Sequence, residues 1–173
     1  GKSTLARLLL RLYDPPEGRM LIDGTDAREY DAASIRARAG LVTSEASLFN
    51  DTVFQNVAIG RKVVTLSEVE RACKSVGANT FIEALPEGYQ TLLGDWGFSL
   101  SAGQRQKLAL ARVLLKDPEF VVLDEATAHL DGPAEKEVLS ALETVLAGRT
   151  VVTIAHELRA VCGADAVAVM SGG

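Results

Sequence analysis

The chain has 173 residues, 47% of them apolar and 24% charged, with a formal net charge of −5. That is enough for one domain with a buried core and an ordinary globular composition, and its dispersed Lys and Arg offer no nucleic-acid surface. No apolar stretch approaches the ~20 residues a membrane-spanning helix needs, no stretch reads as a signal peptide, and Cys73 and Cys162 lie far apart without a CxxC pair, as expected of reduced cytosolic thiols.

The chain opens Gly1-Lys2-Ser3-Thr4 and passes at once into an apolar, Arg-punctuated run. The tetrapeptide has two readings. It is a polar helix N-terminus capped by Ser3 or Thr4, or it is the end of a G-x-x-x-x-G-K-[ST] phosphate loop whose first five residues would precede residue 1. Together with a close on Val-Met-Ser-Gly-Gly and no initiator Met, the second reading predicts a chain cut at both ends. Leu5–Tyr13 is predicted helix, stopped by Asp14-Pro15-Pro16-Glu17-Gly18. A short strand with an Asp23-Gly24 turn follows, then a short helix over Ser34–Ala39 and a buried strand over Gly40–Ser44. Ser67-Glu68-Val69-Glu70 reads as a capping box opening a helix that ends at Gly77, and Asn79–Leu85 as a second helix stopped by Pro86.

Ser101-Ala102-Gly103-Gln104 fits the S-x-x-Q capping pattern, and a long helix runs from it to Lys116, ended by Asp117-Pro118. Phe120–Asp124 is a continuous apolar run of strand length, Pro133–Leu146 an amphipathic helix, and Thr150–Ala155 and Ala166–Met170 two more buried strands. Doubly buried strands alternating with helices predict an α/β fold with a largely parallel sheet. Residues 52–100 carry no strand signal and read as a helical subdomain inserted into that sheet, leaving 1–51 and 101–173 as the core.

Three positions carry candidate chemistry. Asp124 and Glu125 end a strand, where they are either a solvated acidic pair or a magnesium-holding acid beside a water-polarising one. Ser101 and Gly103 sit at a helix N-terminus, which is an anion site or an ordinary cap. His156 follows a buried strand, as a structural histidine or a phosphate contact. Together with Lys2 and in this order, these stretches resemble the nucleotide-binding domain of ABC transporters. Gly1–Thr4 resembles the end of Walker A, Leu100–Gln104 (LSAGQ) the LSGGQ signature, and Val121–Glu125 (VVLDE) Walker B with its glutamate. Ala128–Asp131 (AHLD) resembles the D-loop and His156 the switch histidine. "LYDPPEGRMLIDGTDAREYD" and "SLFNDTVFQNV" resemble the exporter type, fused behind a membrane domain.

The resemblance implies a P-loop NTPase core, ATP and magnesium as ligands, and two domains sandwiching two ATP molecules in a homo- or heterodimer at the cytoplasmic face of a membrane. Catalysis would fall to Glu125, as base or water-orienting group, and to His156 on the γ-phosphate. Gly1, Lys2, Ser3 and Thr4 would bind the phosphates, and Ser3 with Asp124 would hold magnesium, partly through water. Ser101, Gly103, Gln104 and Asp131 complete the nucleotide-binding set, with Ser101 and Gly103 closing the opposite subunit's site. The partners implied are a second such domain and an upstream transmembrane domain, not nucleic acid.

This sequence departs from the family pattern at three places. Aligning on Leu48-Phe49 puts Ser44 where the family has a Gln that senses magnesium and water. Ala102 replaces the first signature Gly, at what should be the first helical residue, where φ is negative and Ala fits. Gly94-Asp95-Trp96-Gly97 stands where exporters have Gly-Glu-Arg-Gly, beside the membrane domain. Two alternatives accompany the exporter ATPase: a degenerate regulatory half of a heterodimer, and a soluble ABC-type ATPase of chromosome maintenance or DNA repair. The second conflicts with the short Lys2-to-Ser101 segment, which carries no heptads.

Overall fold

The structure, a computed structural model, describes residues 1–15, 18–94, 100–128, 130–156 and 163–170. The Asp95-Trp96-Gly97 departure, His129 and Cys162 lie outside the described residues. In chain order the elements are α1 (Lys2–Leu9), β1 (Leu21–Ile22), β2 (Thr25–Asp26), α2 (Ala32–Ala37), β3 (Ala39–Thr43), α3 (Val53–Ala58), α4 (Leu66–Ser75), α5 (Asn79–Glu83), α6 (Ala102–Lys116), β4 (Phe120–Asp124), α7 (Gly132–Leu146) and β5 (Thr150–Ile154). β3, β4 and β5 form a parallel sheet in that order, with Thr43 opposite Asp124 and Asp124 opposite Ile154, while β1 and β2 make a separate antiparallel hairpin. The register brings the C-terminal ends of all three parallel strands level, and the candidate chemistry gathers there.

Period-two alternation decides the layers. Val121 and Leu123 of β4 join the main core with Leu108, Leu110 and Val113 of α6 and Val138 and Leu142 of α7. Val122 points the other way, into a smaller cluster with Ala6 and Leu10 at α1 and Ile154 of β5. A strand buried on both faces cannot alternate with polar residues, which is why Phe120–Leu123 is uninterrupted apolar sequence. The main core also takes in Val53, Val57, Val69, Cys73 and Ile82 from α3, α4 and α5, so α6 links that helical stretch to the sheet. Among the described residues, the extended pairing in that stretch is a single antiparallel bridge between Thr52 and Leu92.

Several boundaries differ from the sequence reading. Helix α1 ends at Leu9 rather than Tyr13, because Arg11 enters the left-handed region at φ +46° and closes a Schellman motif. Its N–H donates to Leu8 O at 2.8 Å and that of Leu12 to Arg7 O at 2.9 Å. The turn is held from outside, since the Arg11 guanidinium donates to Asp14 and to the carbonyls of Ala27 and Tyr30, contacts no local pattern announces. The capping box of α4 belongs to Thr65 and Glu68, not to Ser67 and Glu70: Glu68 N–H donates to Thr65 Oγ1, and Thr65 N–H donates back to the Glu68 carboxylate at 2.8 Å. Ala166–Met170 is not a strand, and Val167 and Val169 are exposed, because nothing among the described residues pairs with it. Ala102 is the first residue of α6 with Ser101 as its N-cap, as the sequence predicted.

Candidate functional site

Gly1 is the N-cap of α1 and no side chain caps this helix, so neither Ser3 nor Thr4 plays the capping part that was one reading of the opening tetrapeptide. The first-turn N–H groups of Lys2, Ser3 and Thr4 have no partner within the helix and carry its positive dipole end. Backbone donors aimed outward from a helix N-terminus suit phosphate oxygens. The helix lies across β4 and β5, placing this terminus beside the ends of both strands.

Four of the sequence-predicted residues meet there in two short contacts. Ser3 Oγ donates to Asp124 Oδ1 at 3.1 Å. Lys2 Nζ lies 3.2 Å from His156 Nδ1 and 3.4 Å from the Ala155 carbonyl. His156 Nε2 is 2.5 Å from Glu125 Oε1, which brings in the fifth residue. These contacts fix a tautomer: an ammonium has only donors, so Nδ1 must accept from Lys2, and the imidazole proton sits on Nε2, donating to Glu125. Lys2, His156 and Glu125 are therefore one hydrogen-bonded chain, with Ser3 and Asp124 beside it.

Glu125 adopts φ +54°, a left-handed conformation that costs a residue with a Cβ on the order of 1 kcal/mol. Its N–H continues the ladder by donating to Ile154 O at 3.0 Å, while the turn carries its carboxylate out to His156. On the other side, Ser44 N–H donates to Asp124 O at 3.1 Å, and Ser44 shares a small cleft with Ser3, Asp124 and Glu125. Ser44 thus stands within the candidate site, as the alignment on Leu48-Phe49 placed it.

Ser101, Gly103 and Gln104 are elsewhere, in a groove with Gly77, Phe81 and Lys107. Ser101 caps α6 with a full capping box: Gln104 N–H donates to Ser101 Oγ at 3.2 Å and Ser101 N–H to Gln104 Oε1 at 2.9 Å. Gly103 is a packing glycine, since a Cβ there would stand 3.0 Å from Ala134 Cβ where α6 crosses the start of α7. Asp131 caps α7, accepting from Ala134 N–H at 2.9 Å. The structure therefore brings Lys2, Ser3, Asp124, Glu125 and His156 together, lines a separate groove with Ser101, Gly103 and Gln104, and uses Asp131 as the cap of α7.

The donor set bears on magnesium. No cluster of three or more His, Cys, Asp or Glu side chains placed to hold a metal occurs among the described residues. One hydroxyl and one carboxylate, both hard oxygens and already in contact, match the sparse protein ligation usual for magnesium on a phosphate substrate.

Sequence reasoning passed over Gln106. It is 1% exposed on α6, and its Nε2 donates to Thr43 O at 2.9 Å and to Ala126 O at 2.6 Å. A signal was present, because Gln106 falls on the same helical stripe as buried Gly103, Leu110 and Val113, where an apolar residue is the norm.

The sequence profile described as ABC transporter matches residues 1–128. The chain is 44% identical, over its whole length, to a "Putative multidrug export ATP-binding/permease protein YgaD" of Bacillus subtilis (strain 168), of which it spans 30%. It is 44% identical to an "ATM1-type heavy metal exporter" of Novosphingobium aromaticivorans, spanning 28% of that protein. An "ATP-dependent lipid A-core flippase" of Chromohalobacter salexigens is 47% identical, with 30% of it spanned. Among solved structures, a bacterial Atm1-family ABC exporter with ATP bound superposes with a TM-score of 0.85 at 45% identity, over 94% of this chain and 28% of that one. The chain thus spans less than a third of the length of these relatives. The α/β core, with its parallel sheet, is a P-loop NTPase fold. Profile, full-length identity and superposition agree with one another: the chain belongs to the ABC transporter family.

Proposed function

We propose that this chain is the ATP-binding and ATP-hydrolysing domain of an ABC exporter, and that ATP-driven pairing with a second such domain is coupled to translocation of a substrate across a membrane. The observation that carries this is the hydrogen-bonded chain from Lys2 through His156 to Glu125, next to the Ser3–Asp124 pair and under the open N-terminus of α1. The N–H groups of α1 and the Lys2 ammonium take the β- and γ-phosphates. Glu125 orients a water and accepts its proton as the water oxygen bonds to the γ-phosphorus and the bond to the ADP oxygen breaks. His156 would turn its Nε2–H from Glu125 to a γ-phosphate oxygen when ATP is bound. Ser3 and Asp124 would hold magnesium, which when bound offsets charge on the phosphate oxygens. Positioning and charge stabilisation, rather than covalent chemistry, do the work in such a site.

The separate surface bearing Ser101, Gly103 and Gln104 supports a two-chain site, because these residues do not reach this chain's own Lys2 and Asp124 cluster. Residues 52–100 would act as a helical subdomain between core segments 1–51 and 101–173, with a transmembrane domain on the same polypeptide, as the greater length of the relatives suggests. No helix among the described residues is long and apolar enough to cross a membrane, so the spans would lie in that other domain, with this one at its cytoplasmic face. The retained contact between Glu125 and His156 favours an active site over a regulatory half. The test is phosphate release by the purified whole transporter in Mg-ATP. Lys2→Ala should abolish it, and a wild-type rate in that variant would overturn the proposal.

A further inference from the structure

Gln106 is the most deeply buried side-chain amide near the candidate site, at 1% exposure, and it lies on α6 rather than on any element that bears the reacting groups. Its single Nε2 serves two carbonyls that belong to different parts of the site. Thr43 is the last residue of β3 and precedes Ser44. Ala126 follows Glu125 in the left-handed turn that ends β4. Resting on the function proposed above, we infer that Gln106 is a positioning residue for hydrolysis: it sets Glu125 and the Ser44 segment against each other and ties both to the helix capped by Ser101.

The chemistry explains why this residue type is needed. A carboxamide NH2 is an uncharged group that offers two donors from one atom. Here both are used, at 2.9 and 2.6 Å, on carbonyls just beyond the point where the parallel ladder stops. The ladder's last rungs are Ser44 N–H to Asp124 O and Glu125 N–H to Ile154 O. Past them, the Glu125–Ala126 peptide is held by the turn's own Ala128 N–H to Glu125 O contact, and the Ala126–Thr127 peptide by Gln106. Glu125 spends energy on its positive φ, so an external clamp on the next peptide is what keeps that turn in the strained form. An apolar residue of the same length would fill the space but release both carbonyls, and the carboxylate could then swing relative to Ser44 and Asp124. Displacements of about 1 Å at such groups cost on the order of a hundredfold in rate.

The test is steady-state ATP hydrolysis by the whole transporter carrying Gln106→Met or Gln106→Glu, with the melting temperature measured beside it. Gln106→Met keeps length and removes both donors. It should lower kcat at least tenfold while KM for ATP stays within about threefold, because the phosphate-binding terminus of α1 is untouched. Gln106→Glu adds a pH readout. The buried acid donates a proton to one carbonyl only when protonated, so its kcat should recover in part as pH falls and decline as pH rises, relative to wild type. A kcat within twofold of wild type in folded Gln106→Met, or a Gln106→Glu profile parallel to wild type, would overturn the inference. Failure of both variants to fold would also overturn it, by showing that the amide serves the core and not the chemistry. Absence of Mg-ATP hydrolysis in the wild-type protein would instead bring down the proposed function, and this inference with it.

Discussion

Ser44→Gln should raise the rate of ATP hydrolysis. Ser44 is anchored by its N–H on Asp124 O at 3.1 Å, just past the end of β3, and it faces the cleft shared with Ser3, Asp124 and Glu125. Its backbone is therefore fixed, and side-chain length decides what it can touch. A Gln carries its amide oxygen about 2.4 Å further out, by one carbon–carbon bond of ~1.5 Å and one C=O bond of ~1.2 Å. That reach would let its amide contact the attacking water and a metal at Asp124, where Ser requires a bridging water. One polar contact of this kind contributes on the order of 1–3 kcal/mol. If it acts only in the transition state, the gain is roughly tenfold to a hundredfold in kcat. The assay is phosphate release by the whole transporter across a magnesium titration, with wild type and Ser44→Gln in parallel. The variant should turn over faster and depend more steeply on magnesium. An unchanged or lower rate in a folded variant would refute the reasoning, by showing a site optimised around Ser or a different loop register.

Two further predictions concern the scaffold. A Cβ on Gly40 would stand 2.9 Å from Val113 Cγ1 and 3.0 Å from Pro118 Cγ, so Gly40→Ala should destabilise by about 1–3 kcal/mol; a urea midpoint equal to wild type would contradict the packing described. Burial pushes the Cys73 thiol from 9.0 up to about 12, against a Tyr89 hydrogen bond that acts in the opposite direction. The unfolded chain therefore loses this proton first, so the stability the neutral thiol contributes is complete below about pH 9 and is lost as pH rises towards 12. Cys73→Ala should flatten that alkaline decline in urea midpoints, and an equally steep decline in both proteins would refute it.

Much of the fold was legible because its signals are local. Phe120–Leu123 shows its double burial as unbroken apolar sequence, and Ser101 with Gln104 announces the start of α6 within four residues. The site was legible only as a set, since a short GKST or DE stretch has an innocent alternative that a third and fourth motif remove. What stayed hidden depends on contacts between distant segments. Arg11 ends α1 early because Ala27 and Tyr30 offer carbonyls to its guanidinium. Ala166–Met170 has strand-like composition and no strand beside it among the described residues. Glu125 turns left-handed, and Gln106 bridges positions 63 and 20 residues away, which no local periodicity encodes.

The central claim is that Lys2 binds nucleotide and Glu125 acts on it, as the chain from Lys2 through His156 to Glu125 implies. The most direct test compares ATP affinity and turnover in the whole transporter carrying Lys2→Ala or Glu125→Gln. Lys2→Ala should weaken ATP binding and hydrolysis together, because it removes the ammonium aimed at the phosphates. Glu125→Gln keeps the shape and removes the proton acceptor, so it should bind ATP as tightly as wild type, hold two domains together, and hydrolyse at least a hundredfold more slowly, on the scale of lost general-base catalysis. Equal loss of ATP binding in both variants, or wild-type turnover in Glu125→Gln, would contradict the account.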